Sequence, residues 1–217
     1  MISQTLKNLK LLEQKFDKLQ GEITLVYFSE EARCRHCRLE RELLEELAHL
    51  SPKLDLEAYD FNVDSEIAEQ YGIDKVPGLV LVGGKDYGVR YYGMPSDLEF
   101  QMLFEDMVRI SSGHSGLSPE TVERIKELDR PLHLEVLTTP ACPFSEGAAR
   151  LAHQLAMESE KITADLVNVN DFPELVDKYD VLAAPTVVIN GTYHFYGALE
   201  EPEFVEEVMK ALAQIAP

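Results

Sequence analysis

The sequence predicts an α/β protein built from two tandem copies of one unit, each a mixed central sheet flanked by helices. Two repeated motifs and a repeated order of elements lead to this expectation. The motif Cys34–Cys37 (CRHC) recurs as Cys142–Ser145 (CPFS), since 142 − 34 = 108. Val76-Pro77 recurs as Ala184-Pro185 at the same offset. A register shared over about forty residues indicates that one structural unit is used twice.

In the first copy, runs of β-branched and aromatic residues predict strands, and apolar residues at helical spacing predict helices. A loop containing Gly83, Gly84 and Gly88 is expected to join the last two strands as a hairpin. The expected elements are a helix over 1–18, a strand at Ile23–Phe28, a helix at His36–Leu50, a strand at Leu54–Tyr59, a helix at Ser65–Tyr71, strands at Leu79–Val82 and Val89–Tyr92, and a helix at Ser96–Ile110.

The second copy repeats this order. Its expected elements are a helix near Pro119–Leu128, a strand at Leu132–Leu137, a helix from Cys142 to about Met157, a strand at Ile162–Val169, a short helix ending near Tyr179, strands at Thr186–Ile189 and Tyr193–Tyr196, and a helix at Glu201–Ile215. Asn190-Gly191 signals a two-residue hairpin. The Ser/Gly-rich stretch 111–116 separates the copies, so we expect domains at 1–113 and 114–217.

This β-α-β-α-β-β-α order implies a mixed sheet in each copy. Helical crossovers make the early strands parallel, and a hairpin makes the last two antiparallel. Helices must then cover both faces, because parallel strands leave no polar face for water. This is the thioredoxin arrangement, and the chain carries it twice.

The composition limits the partners and the location of the protein. With 217 residues, of which 45% are hydrophobic and 27% charged, the chain is typical of soluble globular proteins. A net charge of −19 argues against nucleic acid and anionic membrane surfaces, because both would repel it. No apolar run approaches the roughly 20 residues that cross a bilayer. Residues 1–18 lack the apolar centre of a secretory signal, so we expect a cytoplasmic protein.

The Cys34–Cys37 motif is the strongest candidate for chemistry. Cys34 follows a strand at the start of a helix, where unpaired N–H groups and the helix dipole favour a thiolate. Cys37, about one turn further along, can attack a mixed disulfide formed at Cys34 and release the product. Arg35 and His36 lie between them as potential cations, which favour the reduced form. Thioredoxins, which this arrangement resembles, place a buried acid six residues before the first cysteine, and that position is Phe28 here. The resemblance therefore implies that proton transfer to and from these sulfurs comes from another group or from water.

Two alternatives remain for these cysteines. They could be half of a zinc site, or inert buried thiols. A zinc site needs two further ligands, and the sequence has no second C-x-x-C or H-x₃₋₅-H pair. The further ligands could come, only by coincidence of folding, from Cys142 and the scattered His49, His114, His133, His153 and His194. We therefore expect redox chemistry and no metal.

Cys142 has Ser145 where a second cysteine would stand. A lone thiol at the start of a helix can form a mixed disulfide but cannot resolve it unaided. It could accept glutathione or trap a partner, or it could be a decayed site kept for packing. The acidic runs Glu40–Glu46 and Glu200–Glu207 are expected to be solvated helix faces.

The sequence resembles the glutaredoxin-like protein disulfide oxidoreductases of archaea and thermophilic bacteria, which consist of two tandem thioredoxin-fold units. The resemblance covers nearly the whole chain. It is carried by the CRHC motif, by residues 85–95 (KDYGVRYYGMP), by residues 138–143 (TTPACP) and by both proline motifs.

The resemblance implies thiol–disulfide exchange on protein substrates, with Cys34 as the nucleophile and Cys37 as the resolving thiol. The redox group is then the Cys34–Cys37 disulfide, with no cofactor. It also implies cis Val76–Pro77 and Ala184–Pro185 bonds, whose preceding backbone groups pair with the substrate chain.

The sequence departs from the family at Ser145, since its members usually carry C-x-x-C in both units. Cys142-Pro143-Phe144-Ser145 is also similar to the motif of monothiol glutaredoxins, which use glutathione. The runner-up function is an electron shuttle between a flavin-dependent, NADPH-linked reductase and a peroxidase. A non-redox binding, chaperone or metal protein is the third hypothesis.

Overall fold

A computed structural model describes residues 16–30, 34, 36–93, 97–140 and 142–214 of the chain. Over these ranges it contains eight strands and seven helices in the expected order. The mixed α/β class is therefore confirmed. The helix expected over 1–18 falls mostly on residues 1–15, outside the described ranges.

The chain divides into two compact units. One contains the chain up to Asp86 together with Tyr92–Gly113, and the other contains Tyr87–Tyr91 together with the chain from His114 onwards.

The elements of the first half of the chain match the expected ones within a few residues. They are β1 (Ile23–Ser29), α1 (Cys37–Ala48), β2 (Leu54–Asp60), α2 (Ser65–Gln70), β3 (Gly78–Gly83), β4 (Lys85–Tyr92) and α3 (Asp97–Ser112). The strands lie in the order β2-β1-β3-β4. β1 is parallel to β2, as the helical crossover predicted. β3 is antiparallel to β1, a pairing that neither the crossover nor the hairpin predicted. Helix α3 extends two residues further than expected, into the Ser/Gly-rich stretch.

The second half repeats the pattern. Its elements are α4 (Pro119–Lys126), β5 (Leu132–Thr138), α5 (Ser145–Glu158), β6 (Ile162–Asn168), α6 (Glu174–Lys178), β7 (Thr186–Ile189), β8 (Tyr193–Tyr196) and α7 (Glu201–Gln214). The strands lie in the order β6-β5-β7-β8. β5 is parallel to β6 and antiparallel to β7. Ser118 caps α4, since its side-chain oxygen accepts the N–H of Thr121.

The first strands of the two halves are offset by one residue more than the cysteines. β1 begins at Ile23 and β5 at Leu132, so the strand offset is 132 − 23 = 109. Each strand begins in the same way, because the N–H of Ile23 donates to Lys53 O and the N–H of Leu132 donates to Lys161 O. The loop between strand and cysteine is therefore one residue shorter in the second half. Tyr27 on β1 consequently matches Val136 on β5, because 136 − 27 = 109.

The first hairpin differs from the expected glycine-rich loop. β3 ends at Gly83 and β4 begins at Lys85, so only Gly84 separates them. Gly88, expected in the loop, lies inside β4 with φ +79°. The last strand of the first half is therefore longer than its counterpart in the second half, since β4 has eight residues and β8 has four.

The second hairpin is one residue longer than predicted. Three residues, 190–192, connect β7 and β8, and Ile189 pairs with Tyr193. Asn190 and Gly191 both have the positive φ expected of this dipeptide, 48° and 68°. Thr192 completes the turn by donating its N–H to Ile189 O at 3.2 Å.

None of the helices in the described ranges combines the length and apolar character that crossing a membrane requires.

Candidate active site: a disulfide at the start of a helix

Cys34 and Cys37 are joined by a disulfide, with the two Cα atoms 5.4 Å apart. Cys37 is the first residue of α1 and is fully buried, whereas Cys34 precedes the helix and is partly exposed. The helix thus begins at Cys37 and not at Cys34. An incoming thiolate can approach only the sulfur that solvent reaches. Cys34 is therefore the sulfur placed for exchange with a substrate.

Backbone N–H groups at the start of α1 stabilise the Cys34 sulfur. The N–H of Cys37 donates to Cys34 Sγ, with nitrogen and sulfur 3.0 Å apart. The first N–H groups of a helix have no partner within the helix, so they favour a negative charge placed near them. The backbone N–H of Cys34 donates to Glu30 O at 2.9 Å. This geometry favours the Cys34 thiolate that exchange chemistry requires.

Two buried polar side chains that the sequence did not identify lie beside the dithiol. The Tyr27 hydroxyl donates to Cys37 O at 2.9 Å and lies 3.5 Å from Glu40 Oε2. Tyr27 is fully buried, and Glu40 is only 2% exposed. The expectation that Glu40–Glu46 is a solvated face is therefore wrong at Glu40. Its helical spacing from the buried residues Leu43, Leu44 and Leu47 places Glu40 on the core side of α1.

The strand side chain that reaches α1 is Tyr27, and not Phe28, the residue six positions before Cys34. Neighbouring residues of a strand point to opposite faces. The Phe28 ring accordingly packs against Tyr59 and Tyr71, with ring centroids 5.6 and 6.0 Å away. The loop before Cys34 is one residue longer than the loop before Cys142. A count of six residues back from Cys34 therefore ends at Phe28, one residue past the strand residue that contacts α1.

The two charged candidates between the cysteines are placed differently. His36 occupies the position before the first residue of α1 and is partly exposed. Arg35 lies outside the described residues. Their roles as cations beside the thiolate stay a prediction.

Both proline motifs have the geometry that the family resemblance implied, since Val76–Pro77 and Ala184–Pro185 are cis peptide bonds. The carbonyl oxygens of Pro77 and Pro185 accept the N–H groups of Gly93 and Gly197, at 3.2 and 2.9 Å. Val76 and Ala184 are partly exposed, while both prolines are buried. In each motif the residue before the cis proline is therefore the more accessible of the two.

The second cysteine site differs from the first in its free thiol. Cys142 is not in a disulfide and is partly exposed. Its thiol donates to Ala184 O, with sulfur and oxygen 3.2 Å apart, so the thiol lies against the residue before the cis proline. Ser145 is the first residue of α5, as Cys37 is of α1. Its hydroxyl oxygen is buried and finds no hydrogen-bond partner in the described part of the chain.

One group of side chains has metal-ligand character, and it contains no cysteine. Ligand atoms of His133, Glu135 and Asp165 lie within 4.8 Å of one another, in a search limited to the described residues. His133 Nε2 lies 2.7 Å from Asp165 Oδ2, and the Tyr179 hydroxyl donates to Glu135 Oε2 at 2.6 Å. These contacts pair the polar atoms with one another, as buried charged groups require.

Comparisons with known proteins agree with this architecture. Residues 132–210 match a thioredoxin domain family. A thioredoxin from Methanocaldococcus jannaschii is 34% identical over 80 residues, which are 36% of this chain and 94% of that thioredoxin. Among solved structures, a protein disulfide oxidoreductase from Aeropyrum pernix has a TM-score of 0.87 and 29% identity, covering 94% of this chain and 92% of its own.

A further similarity concerns the alkylhydroperoxide reductase protein AhpF. The solved structure from Enterococcus faecalis has a TM-score of 0.84 and 25% identity, over 92% of this chain and 96% of that chain. The curated AhpF sequences of Staphylococcus aureus are 22% identical, and this chain spans only 27% of their length. The resemblance to the protein disulfide oxidoreductases is confirmed by the structural match over nearly the whole chain. Together with the M. jannaschii relative, it shows that the chain belongs to the thioredoxin family.

Proposed function

We propose that this protein is a cytoplasmic thiol–disulfide oxidoreductase, which exchanges disulfides with protein substrates through Cys34 and Cys37. The observation that carries the proposal is the Cys34–Cys37 disulfide at the start of α1, with Cys34 partly exposed and Cys37 buried. The nucleophile must be reached by the substrate disulfide, whereas the resolving thiol has only to reach the sulfur of Cys34.

In the reducing direction, the Cys34 thiolate attacks one sulfur of a substrate disulfide. A Cys34–substrate mixed disulfide forms, and the other substrate sulfur leaves as a thiolate. Cys37 then attacks Cys34 Sγ, loses its proton and releases the second substrate thiol. Two electrons pass to the substrate, and the protein is left with the Cys34–Cys37 disulfide seen in the structure. This chemistry requires no other cofactor.

The remaining candidate residues support this cycle. Arg35 and His36 stabilise the Cys34 thiolate as neighbouring cations. The backbone before Pro77, at Val76, pairs with an extended substrate segment, and Ala184 before Pro185 does the same in the second unit. Residues 1–113 and 114–217 are separate domains, of which the first carries the dithiol, although Tyr87–Tyr91 group with the second compact unit.

Insulin disulfide reduction driven by dithiothreitol tests the proposal on the whole protein. We expect wild-type protein to accelerate insulin reduction and Cys34→Ser to lose that acceleration. In a separate incubation of the reduced variant with a substrate disulfide and no added thiol, Cys37→Ser should accumulate mixed disulfides at Cys34, visible by mass spectrometry, because no resolving thiol is left. Full activity of Cys34→Ser would move the chemistry to Cys142 or make the N-terminal pair structural. Rapid, complete turnover by Cys37→Ser would exclude the dithiol mechanism.

A second candidate is the transfer of electrons from a flavin-dependent, NADPH-linked disulfide reductase to a peroxidase, through the same thiols. The similarity to the alkylhydroperoxide reductase protein AhpF favours it. Sustained NADPH oxidation with such a reductase and a peroxidase, combined with poor insulin reduction, would support the shuttle over general exchange.

A further inference from the structure

We propose that His133, Glu135 and Asp165 form a binding site for one Zn²⁺ ion in the second unit, apart from both cysteine motifs. His133 and Glu135 lie on β5 and Asp165 lies on β6, whereas Cys142 lies beyond the last residue of β5. The sequence predicted no metal because the cysteines lack a second pair of ligands, and this site uses no cysteine. It adds a metal-binding function to the proposed exchange function and does not depend on it.

Two neighbouring strands place the three side chains together. Residues two apart on a strand point to the same face, so His133 and Glu135 lie side by side. Glu135 is paired with Asp165 in the parallel register of β5 and β6, and their carboxylates share that face. Ligand atoms of the three side chains consequently lie within 4.8 Å of one another. The strands therefore hold one nitrogen and two oxygens in a cluster before any ion arrives.

This set of ligand atoms matches the coordination chemistry of zinc. Zn²⁺ binds imidazole nitrogen and carboxylate oxygen at about 2.0–2.2 Å, and its open sites have three protein ligands and one water. Bonds of this length set the ligand atoms about 3.4 Å apart around a tetrahedral ion. His133 Nε2 and Asp165 Oδ2, which are 2.7 Å apart, must separate by about 0.7 Å to admit the ion. Side-chain rotation on a fixed backbone is enough for a change of this size.

Burial gives the two carboxylates a need for positive charge. Glu135 is 5% exposed and the Asp165 side chain is 4% exposed. Two carboxylates this close repel each other, and removing them from water is costly unless they are compensated. A divalent ion takes the place of the proton that His133 and Asp165 share, and it compensates both carboxylates at once. The His133 side chain is 39% exposed, so the ion can enter from solvent on that side.

The first unit shows that the fold does not require a buried carboxylate at this place. The offset of 109 residues between β1 and β5 puts Val26 at the position of Glu135. The strand pairing agrees, since Val26 pairs with Glu57 as Glu135 pairs with Asp165. Val26 is fully buried, so an apolar side chain fills the position that Glu135 occupies in the second unit. The buried carboxylate is therefore an addition to the shared architecture, as expected of a binding group.

Tyr179 orients one of the ligands. Its hydroxyl donates to Glu135 Oε2 at 2.6 Å, and Lys178 Nζ donates to the same hydroxyl at 2.6 Å. A hydrogen bond to a ligating carboxylate fixes its direction, and losing such a bond typically weakens metal affinity by about tenfold or more. Tyr179 is thus a positioning residue for this site.

Isothermal titration calorimetry with ZnCl₂ tests the proposal on the full chain. Cys142→Ser is combined with an intact Cys34–Cys37 disulfide, so that no thiol competes for the ion. Excess Mg²⁺ in the buffer occupies surface carboxylates, which are numerous in a chain with a net charge of −19. We expect one equivalent of Zn²⁺ to bind. The thermal unfolding midpoint should rise with added Zn²⁺, because the ion binds the folded chain.

Matched variants locate the ion. His133→Gln and Glu135→Gln should each lose the saturable binding, and Glu135→Gln keeps an oxygen that accepts the Tyr179 hydrogen bond. Tyr179→Phe should weaken the binding by about tenfold. His194→Gln is the control, because His194 is an exposed histidine of the same unit and should leave zinc binding unchanged.

A second measurement leaves the cluster itself unaltered. In nitrogen-15 NMR spectra of the histidine rings, Zn²⁺ should shift the Nε2 resonance of His133 and leave that of His194 in place. Absence of saturable binding, displacement of the zinc by Mg²⁺, or equal affinities of His133→Gln and His194→Gln would overturn the proposal. So would an unshifted His133 resonance. The dithiol stays oxidised throughout, so the outcome is independent of insulin reduction through Cys34.

Discussion

The Tyr27 hydroxyl donates a hydrogen bond to the backbone carbonyl oxygen of Cys37, with the two oxygens 2.9 Å apart. This bond ties the central strand of the first unit to the first turn of the dithiol helix. The same hydroxyl lies near the buried Glu40 carboxylate. The second unit has Val136 and Ala148 at the matched positions, so both polar groups belong to the dithiol site alone.

Removing this hydroxyl should loosen the first turn of α1. We expect Tyr27→Phe to lower the free energy of unfolding by about 1 kcal/mol, the typical net contribution of one hydrogen bond. Urea unfolding of the oxidised protein measures the change. Tyr59→Phe is the matched control, because its hydroxyl bonds to Glu57 near the surface and should matter less. Equal losses in the two variants would contradict a special role for the Tyr27 bond.

Glu40 places a buried carboxyl group within the first turn of α1, three residues after Cys37. A buried negative charge opposes formation of a nearby thiolate, and thiolate stability favours the reduced dithiol. Glu40→Gln keeps the shape and removes the charge, so we expect the equilibrium with glutathione to shift several-fold toward the dithiol. Glu42→Gln on the same helix is the control, since the Glu42 side chain is 58% exposed. An equal shift in both variants would show that burial of Glu40 is irrelevant.

Gly88 should be the less replaceable of two glycines near the first hairpin. Both Gly84 and Gly88 have positive φ, at +67° and +79°. A Cβ at Gly88 would lie 2.6 Å from Ile162 O, whereas a Cβ at Gly84 would meet nothing within 4 Å. We expect Gly84→Ala to cost about 1 kcal/mol from its conformation, and Gly88→Ala to cost clearly more. Thermal unfolding of both variants tests this, and indistinguishable midpoints would refute the steric argument.

The protein should lose the stabilisation that protonated Tyr193 provides as the pH becomes strongly alkaline. Its hydroxyl donates to the Glu207 carboxylate, and this hydrogen bond, with burial, raises the pKa of Tyr193 from 10.0 to about 12. Between these values the unfolded chain releases the proton while the folded chain keeps it, so stability falls as pH rises. Below pH 10 the contribution is fully present.

Tyr193→Phe tests this pH dependence. Urea unfolding across pH 10 to 12 should show a smaller loss of stability in the variant than in the wild type. Parallel curves for the two proteins would mean that Tyr193 does not carry the effect.

Most of the fold could be predicted because its signals are local. Alternating and helical spacings of apolar residues placed the strands and helices within a few residues, and β7 and β8 at their observed ends. The offset of 108 residues between the cysteine motifs predicted a repeated unit. Where a loop changed length, local signals failed. The loop before Cys142 is one residue shorter than the loop before Cys34, so the strands are offset by 109 residues and the cysteines by 108. Counting back six residues from Cys34 therefore reached Phe28 and missed Tyr27.

The sequence by itself determined the α/β class and the repeated unit, since these follow from short-range spacing and residue type, and it predicted Cys34 and Cys37 as the redox pair. Only the tertiary structure decided that Glu40 is buried, that Gly88 lies in a strand and that Ser145 has no hydrogen-bond partner among the described residues. Burial and pairing of a polar group depend on which distant segments pack against it. Composition and periodicity do not contain that information.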